Sequence, residues 1–168
     1  MNYDFSSHLW PNKRDAFFRD IKLKPLIQGG GDCVATSLAM LTGKRPETFH
    51  QKINTQDPLS WSDALQEWGM KLAYCPTDVR RVAFYLDELI VLNDLFLLSY
   101  YIANDAEDVL ADPDENGWVC GSHVVVMHKN MILNPMRGQK TLAENDLCEH
   151  YPTKRIFRVV PATYKRGL

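Results

Sequence analysis

Residues Trp118–Met136 read WVCGSHVVVMHKNMILNPM, and this stretch decides the fold. Two apolar runs, Trp118–His128 and Met131–Met136, flank the polar pair Lys129-Asn130. Valine-rich runs interrupted by a short polar pair predict two antiparallel strands joined by a two-residue turn. Such a turn sets the register, opposing His128 to Met131, Val126 to Leu133 and Val125 to Asn134. Alternation then places His123 on the face of Val125 and Met127, with Asn134 on that face from the next strand. Diagonal neighbours across an antiparallel pair stand about 7–8 Å apart, within reach of an imidazole and an amide. His128, five residues further on, turns to the opposite face.

Around this hairpin, Met70–Cys75, Leu95–Ile102 (LFLLSYYI) and Arg155–Val160 read as further strands. Helices dominate the first half. Asp32 is placed to cap a helix from Cys33 to Leu41, with Val34, Leu38 and Leu41 on one face and Gly43 just past its end. Pro46 opens a short helix to about Ile53. Ser60 and Asp63 resemble a capping box for Trp61–Trp68, which Gly69 stops. Thr77 or Asp78 can cap a fourth helix through Val82, Leu86, Leu89 and Ile90. The aromatic faces, Trp61, Leu65 and Trp68 with Phe84 and Tyr85, read as core. Helices followed by strands favour the α+β class, with N-terminal helices packed on an antiparallel sheet from the second half.

The chain has 168 residues, 45% of them hydrophobic and 24% charged, which suits one domain over 1–168. Residues 103–116 carry six acids and no Lys or Arg, so 103–117 reads as an acidic loop excursion. Residues 152–168 carry five basic residues and no acid, and 161–168 reads as a loose basic tail. Nineteen Lys and Arg against 21 Asp and Glu leave a formal net charge of −2, so no nucleic-acid partner is expected. The most apolar stretch, Phe84–Ala103, is broken by Asp87, Glu88, Asn93 and Asp94, which argues against a membrane span. No basic start followed by an apolar run opens the chain, so a cytoplasmic location is expected. The lead before Cys33 is short, so no secreted zymogen is expected either.

Cysteines stand at 33, 75, 120 and 148, a spacing that excludes CxxC zinc or redox motifs. Cys33 differs from the others: it follows Gly29-Gly30-Gly31-Asp32 and opens an apolar helix. The helix dipole and unpaired backbone N–H groups there favour a thiolate, and the glycines admit close approach of a substrate. A thiolate paired with an imidazolium is expected to fall one to several units below about 8.5 and to react with iodoacetamide near about pH 6 ahead of the other cysteines. Cys75 lies before Pro76, and Cys148 lies among Glu144, Asp146 and Glu149, which disfavour a thiolate. Of five histidines, His8 and His150 sit in polar or terminal surroundings and His50 on a short helix. His123 is the candidate base. Asn134 accepting one ring N–H would leave the other nitrogen for the thiol, the logic of a Cys-His-Asn triad.

Two metal readings are weaker. Asp112-Pro-Asp114-Glu-Asn116-Gly117 fits half of a calcium loop, but its twelfth position is His123 where a Glu is needed. Cys120, His123 and His128 do not make a zinc set, because His128 faces the other way. No metal and no cofactor is expected.

Gln28, then Asp32-Cys33-Val-Ala-Thr-Ser-Leu-Ala-Met-Leu-Thr-Gly, then Ser122-His123-Val-Val-Val, then Asn134-Pro135, resembles the papain-like cysteine peptidase superfamily. In motif it is most similar to bacteriocin-leader-processing peptidases and compact bacterial and phage relatives. The resemblance covers residues 28–43 and 122–135. It implies a papain-like fold with Cys33 as nucleophile, His123 as general base, Asn134 as orienter and Gln28 as oxyanion-hole side chain. Three positions depart from the family pattern. Gln28 lies five residues before Cys33 where six is usual, Val34 replaces a glycine, and Asn134 replaces the more usual Asp of the leader peptidases. The resemblance implies a monomeric thiol hydrolase cleaving a peptide or isopeptide bond in a protein or peptide substrate. The same triad serves a glutamine deamidase or transamidase, and the same scaffold serves as a catalytically silent binding module.

Overall fold

A computed structural model describes residue 10 and residues 16–103 and 121–165. Most of the acidic stretch, the half calcium loop at 112–117, Cys120 and the end of the basic tail lie outside the described residues.

The hairpin forms as its turn demands. Strand β3 (Ser122–His128) pairs with β4 (Met131–Asn134), opposing Val126 to Leu133, Met127 to Ile132 and His128 to Met131. Lys129 takes a left-handed conformation, φ 59°, the turn geometry that matches strand twist. Strand β1 (Met70–Cys75), β2 (Leu95–Tyr101), β5 (Gln139–Leu142) and β6 (Thr153–Pro161) complete one sheet in the order β1-β6-β2-β3-β4-β5. Every pairing is antiparallel. The class is α+β, but the sheet draws β1 from the first half of the chain. Strand β6 runs between β1 and β2.

Helix α1 (Cys33–Thr42) ends on Gly43, which is left-handed at φ 71° and donates its N–H to Ala39. Asp32 occupies the N-cap position without capping; its side chain goes instead to His50. Helix α2 (Pro58–Leu65) starts earlier than the capping-box reading predicts. Asp57 accepts the Leu59 N–H, and Pro58 occupies the first turn, where its missing N–H costs nothing. Residues 66–68 tighten into a 3-10 turn before Gly69. The segment after Pro46 is likewise only a 3-10 turn, Pro46–Thr48. Helix α3 (Val82–Leu92) has no side-chain cap; Asp78 accepts instead from the Arg80 N–H and the Tyr85 hydroxyl.

The sheet is covered on both faces. α1 and α2 pack with Leu95, Leu97, Val124, Val126, Leu133 and Val159, while α3 packs with Phe96, Leu98, Val125, Met127, Ile132 and Val160. This double burial explains why the central strands read as continuous apolar runs instead of alternating.

Phe17 packs on the α3 side, and from Phe18 to Gln28 the segment is strapped to the α1 side. Asp94 and Arg158, both without solvent exposure, form an ion pair with Arg158 Nε and Nη2 at 3.0 and 2.7 Å from Asp94 Oδ2. Asp94 also accepts the Phe17 and Phe18 N–H groups at 2.9 and 2.7 Å. His128 Nε2 then donates to the Phe18 and Arg19 carbonyls, and the Gln28 N–H reaches the Pro135 carbonyl at 2.7 Å. Gly138 (φ 66°) lies so close to this strap that a Cβ there would stand 2.9 Å from Ile27 Cβ.

Removing one member of a buried ion pair leaves the other charge uncompensated. Asp94→Ala should therefore cost about 3–5 kcal/mol in urea denaturation, and a loss below about 1 kcal/mol would contradict the role given to the pair.

Candidate functional site

The start of β3 brings the chemistry together. His123 is buried, and its Nε2 lies 2.9 Å from Asn134 Oδ1. Asn134 Oδ1 also accepts the Met136 N–H at 3.0 Å, while Asn134 Nδ2 donates to Asp146 Oδ2 at 3.4 Å. A backbone N–H can only donate, so the Asn134 atom between Met136 and His123 is the oxygen. His123 Nε2 must then be the donor in that bond, and Nδ1 keeps its lone pair in the neutral ring. Among the described residues, none hydrogen-bonds to Nδ1. Asn134 serves two ends at once, closing the turn before β5 and orienting the imidazole.

Tyr100, opposite His123 in the β2–β3 register, sets its ring edge against the imidazole at 5.6 Å and stacks on Tyr151 at 5.3 Å. Burial lowers the His123 pKa from its ordinary value, against the opposing pulls of the Asn134 bond and the Asp146 charge. Burial likewise lowers His128, whose ring sits on the opposite face against the strap, as alternation predicts.

Cys33 opens α1, and one turn later the Ser37 hydroxyl reaches the Val124 carbonyl at 3.4 Å. The helix start is thereby fixed over the beginning of β3, with the Val124, Cys33 and Val34 amides around the sulfur. These amides favour the thiolate, but burial outweighs them and Asp32 adds to it, so the Cys33 thiol lies above its ordinary value. The helix start favours the thiolate as the sequence leads one to expect, but desolvation acts the other way and is the larger effect. Cys75 and Cys148 are fully buried, and burial with Asp146 pushes the Cys148 thiol up.

Cys33 and His123 approach the same strand end from different faces. α1 covers the Val124 and Val126 side, and His123 shares the Tyr100 and Val125 side. No hydrogen bond joins the two. A Cys33 charge would nevertheless be felt by Tyr100, the ring edge-on to His123. Gln28 is brought to the site through Pro135, yet its Nε2 donates to the Gly30 carbonyl at 2.6 Å and its Oε1 is buried with no partner among the described residues. As placed, its amide is folded back on its own loop.

Two neighbours of the site were not visible as such in the sequence. His50 pairs with Asp32 at 2.7 Å, one residue from Cys33, and this bond raises the His50 pKa. Asp146, buried beneath Asn134, is the other. Among the described residues no three His, Cys, Asp or Glu side chains gather to hold a metal ion. No helix among them is long and apolar enough to cross a membrane.

The buried histidines give stability a pH dependence. An unfolded imidazole titrates near about 6.5, above the lowered folded values of His123 and His128. The unfolded chain therefore binds more protons as pH falls below about 6.5, and stability present above that value declines. Exposed His50 works in the opposite direction, but solvent screens it. The urea midpoint should be lower at about pH 5.5 than at about pH 7.5; an unchanged or higher midpoint at the lower pH would contradict the assignment.

No protein-family model matches the chain, and a search of curated proteins finds no significant match.

Proposed function

We propose that the protein is a thiol hydrolase on a papain-like fold, cleaving an amide bond of a protein or peptide through a thioester on Cys33. The observation that carries this reading is the oriented pair His123–Asn134. Its hydrogen-bond polarity leaves Nδ1 unprotonated and, among the described residues, without a hydrogen-bond partner, at the end of β3 over which Cys33 opens α1.

Burial raises the thiol and lowers the imidazole, which disfavours a standing thiolate–imidazolium pair at rest. Proton transfer then accompanies attack instead of preceding it. The Cys33 sulfur adds to the substrate carbonyl carbon as its proton passes to His123 Nδ1. The Cys33 N–H receives the oxyanion, joined by Gln28 once its Nε2 leaves the Gly30 carbonyl. Collapse breaks the C–N bond, and Nδ1 returns the proton to the leaving amine. Water, deprotonated by the same nitrogen, hydrolyses the thioester and the thiol is restored. Sulfur and Nδ1 have to close to hydrogen-bond distance when substrate binds, a tightening common between unliganded and loaded sites.

Mass spectrometry of candidate peptides and proteins incubated with the protein tests this. Backbone or isopeptide cleavage splits the substrate, whereas side-chain deamidation adds about one dalton and would replace hydrolysis by the deamidase reading. Cys33→Ser should abolish turnover, His123→Ala should slow it by about 10²–10⁴-fold, and Asn134→Ala by a smaller factor. Activity surviving Cys33→Ser, or unchanged in His123→Ala, would overturn the proposal; no turnover of any substrate would favour a silent binding module.

A further inference from the structure

Asp146 is 1% exposed, and both of its carboxylate oxygens are engaged. Oδ1 accepts the Cys148 N–H at 2.9 Å, capping the 3-10 turn Leu147–His150. A serine or an asparagine could do that much. The second oxygen goes to Asn134 Nδ2 at 3.4 Å, which no cap requires.

The Asn134 amide is therefore fixed in polarity at both ends. A carboxylate can only accept and the Met136 N–H can only donate, so rotating the amide by half a turn would set donor against donor and oxygen against oxygen. We propose that Asp146 is the positioning residue that locks Asn134, and through it His123, in the tautomer with a proton on Nε2 and an open Nδ1. The idea deepens the thiol-hydrolase reading and rests on it for its catalytic consequence; the tautomer itself stands on geometry alone. The Asp146 charge also supports protonation of His123 against burial, which steadies the imidazolium formed during attack. Among the described residues, Tyr100 from β2, Asn134 from β4 and Asp146 from the 143–151 segment face this ring, and Cys33, Cys148 and Tyr151 face Tyr100 beside it.

Two variants separate locking from capping. Asp146→Asn leaves one donor facing a donor in either orientation, against the Cys148 N–H or against Asn134 Nδ2. Asp146→Ser keeps an oxygen for the Cys148 N–H and removes both the charge and the contact with Asn134. Ring-nitrogen NMR of His123 across pH is the readout, with His128 as internal reference. The wild type should show the Nε2–H form when neutral. Both variants should show a growing share of the Nδ1–H form and a His123 midpoint moved lower, with His128 unmoved. Base-assisted alkylation of Cys33 near neutral pH should slow by about tenfold. A wild-type ring carrying its proton on Nδ1 would overturn the proposal without any variant. Unchanged tautomer and midpoint in folded Asp146→Ser would reduce Asp146 to a cap. An inert Cys33 with the expected tautomer shifts would remove the hydrolase reading and leave the lock standing.

Discussion

The ion pair between Asp94 and Arg158 is the interaction on which the layout of the rest depends. Burying two charges costs several kcal/mol each, and the pair is tolerable only because its partners are satisfied in place. Asp94 takes two bonds from Arg158 and two from the Phe17 and Phe18 amides, so one carboxylate joins β6, the start of β2 and the N-terminal strap. The guanidinium lies against the rings of Trp10, Phe17 and Phe96, at 4.9, 5.0 and 5.9 Å, which replace water around its flat faces. From that anchor the strap runs past His128 and Met40 to Gln28 and Pro135. The loop that carries Gln28 and the turn that carries Asn134 are therefore held by a charge pair at the far end of the strap.

At the site, the ordering principle is hydrogen-bond polarity. Groups that can act in only one sense, a backbone N–H and a carboxylate, bracket the ambiguous amide of Asn134, and the amide resolves the ambiguous imidazole of His123. Burial has the opposite character. It raises the Cys33 thiol and lowers His123, which works against charge on either group. In the proposed hydrolase, reactivity would therefore rest on orientation instead of on a standing thiolate.

The parts of this arrangement that depend on neighbours in sequence were legible beforehand. The hairpin needs only Lys129-Asn130 and the valine run, and its parity brings His123 to Asn134 and sends His128 away. The helix end at Gly43 and the strand Met70–Cys75 follow from equally local signals. What was not legible depends on distant residues. Strand β6 enters between β1 and β2 from the far end of the chain, and Arg158 meets Asp94 only there. Strand β5 (QKTL) is a mostly exposed edge without apolar alternation, held by register with β4. Asp32 satisfied every local rule for a cap, yet His50 offered its carboxylate a better partner. At Cys33 the helix dipole can be read from sequence, whereas the burial that raises the thiol depends on how α1 packs over β3.

In the proposed hydrolase Cys33 and His123 act as one nucleophile and base although burial disfavours charge on either at rest. The pH dependence of Cys33 alkylation by iodoacetamide, compared between the wild type and His123→Ala, tests that directly. The wild type should show a shoulder between the lowered imidazole and the raised thiol titrations, where His123 takes the proton as the sulfur attacks. His123→Ala should lose the shoulder and keep only the rise on the alkaline side. Two superimposable profiles would contradict the account.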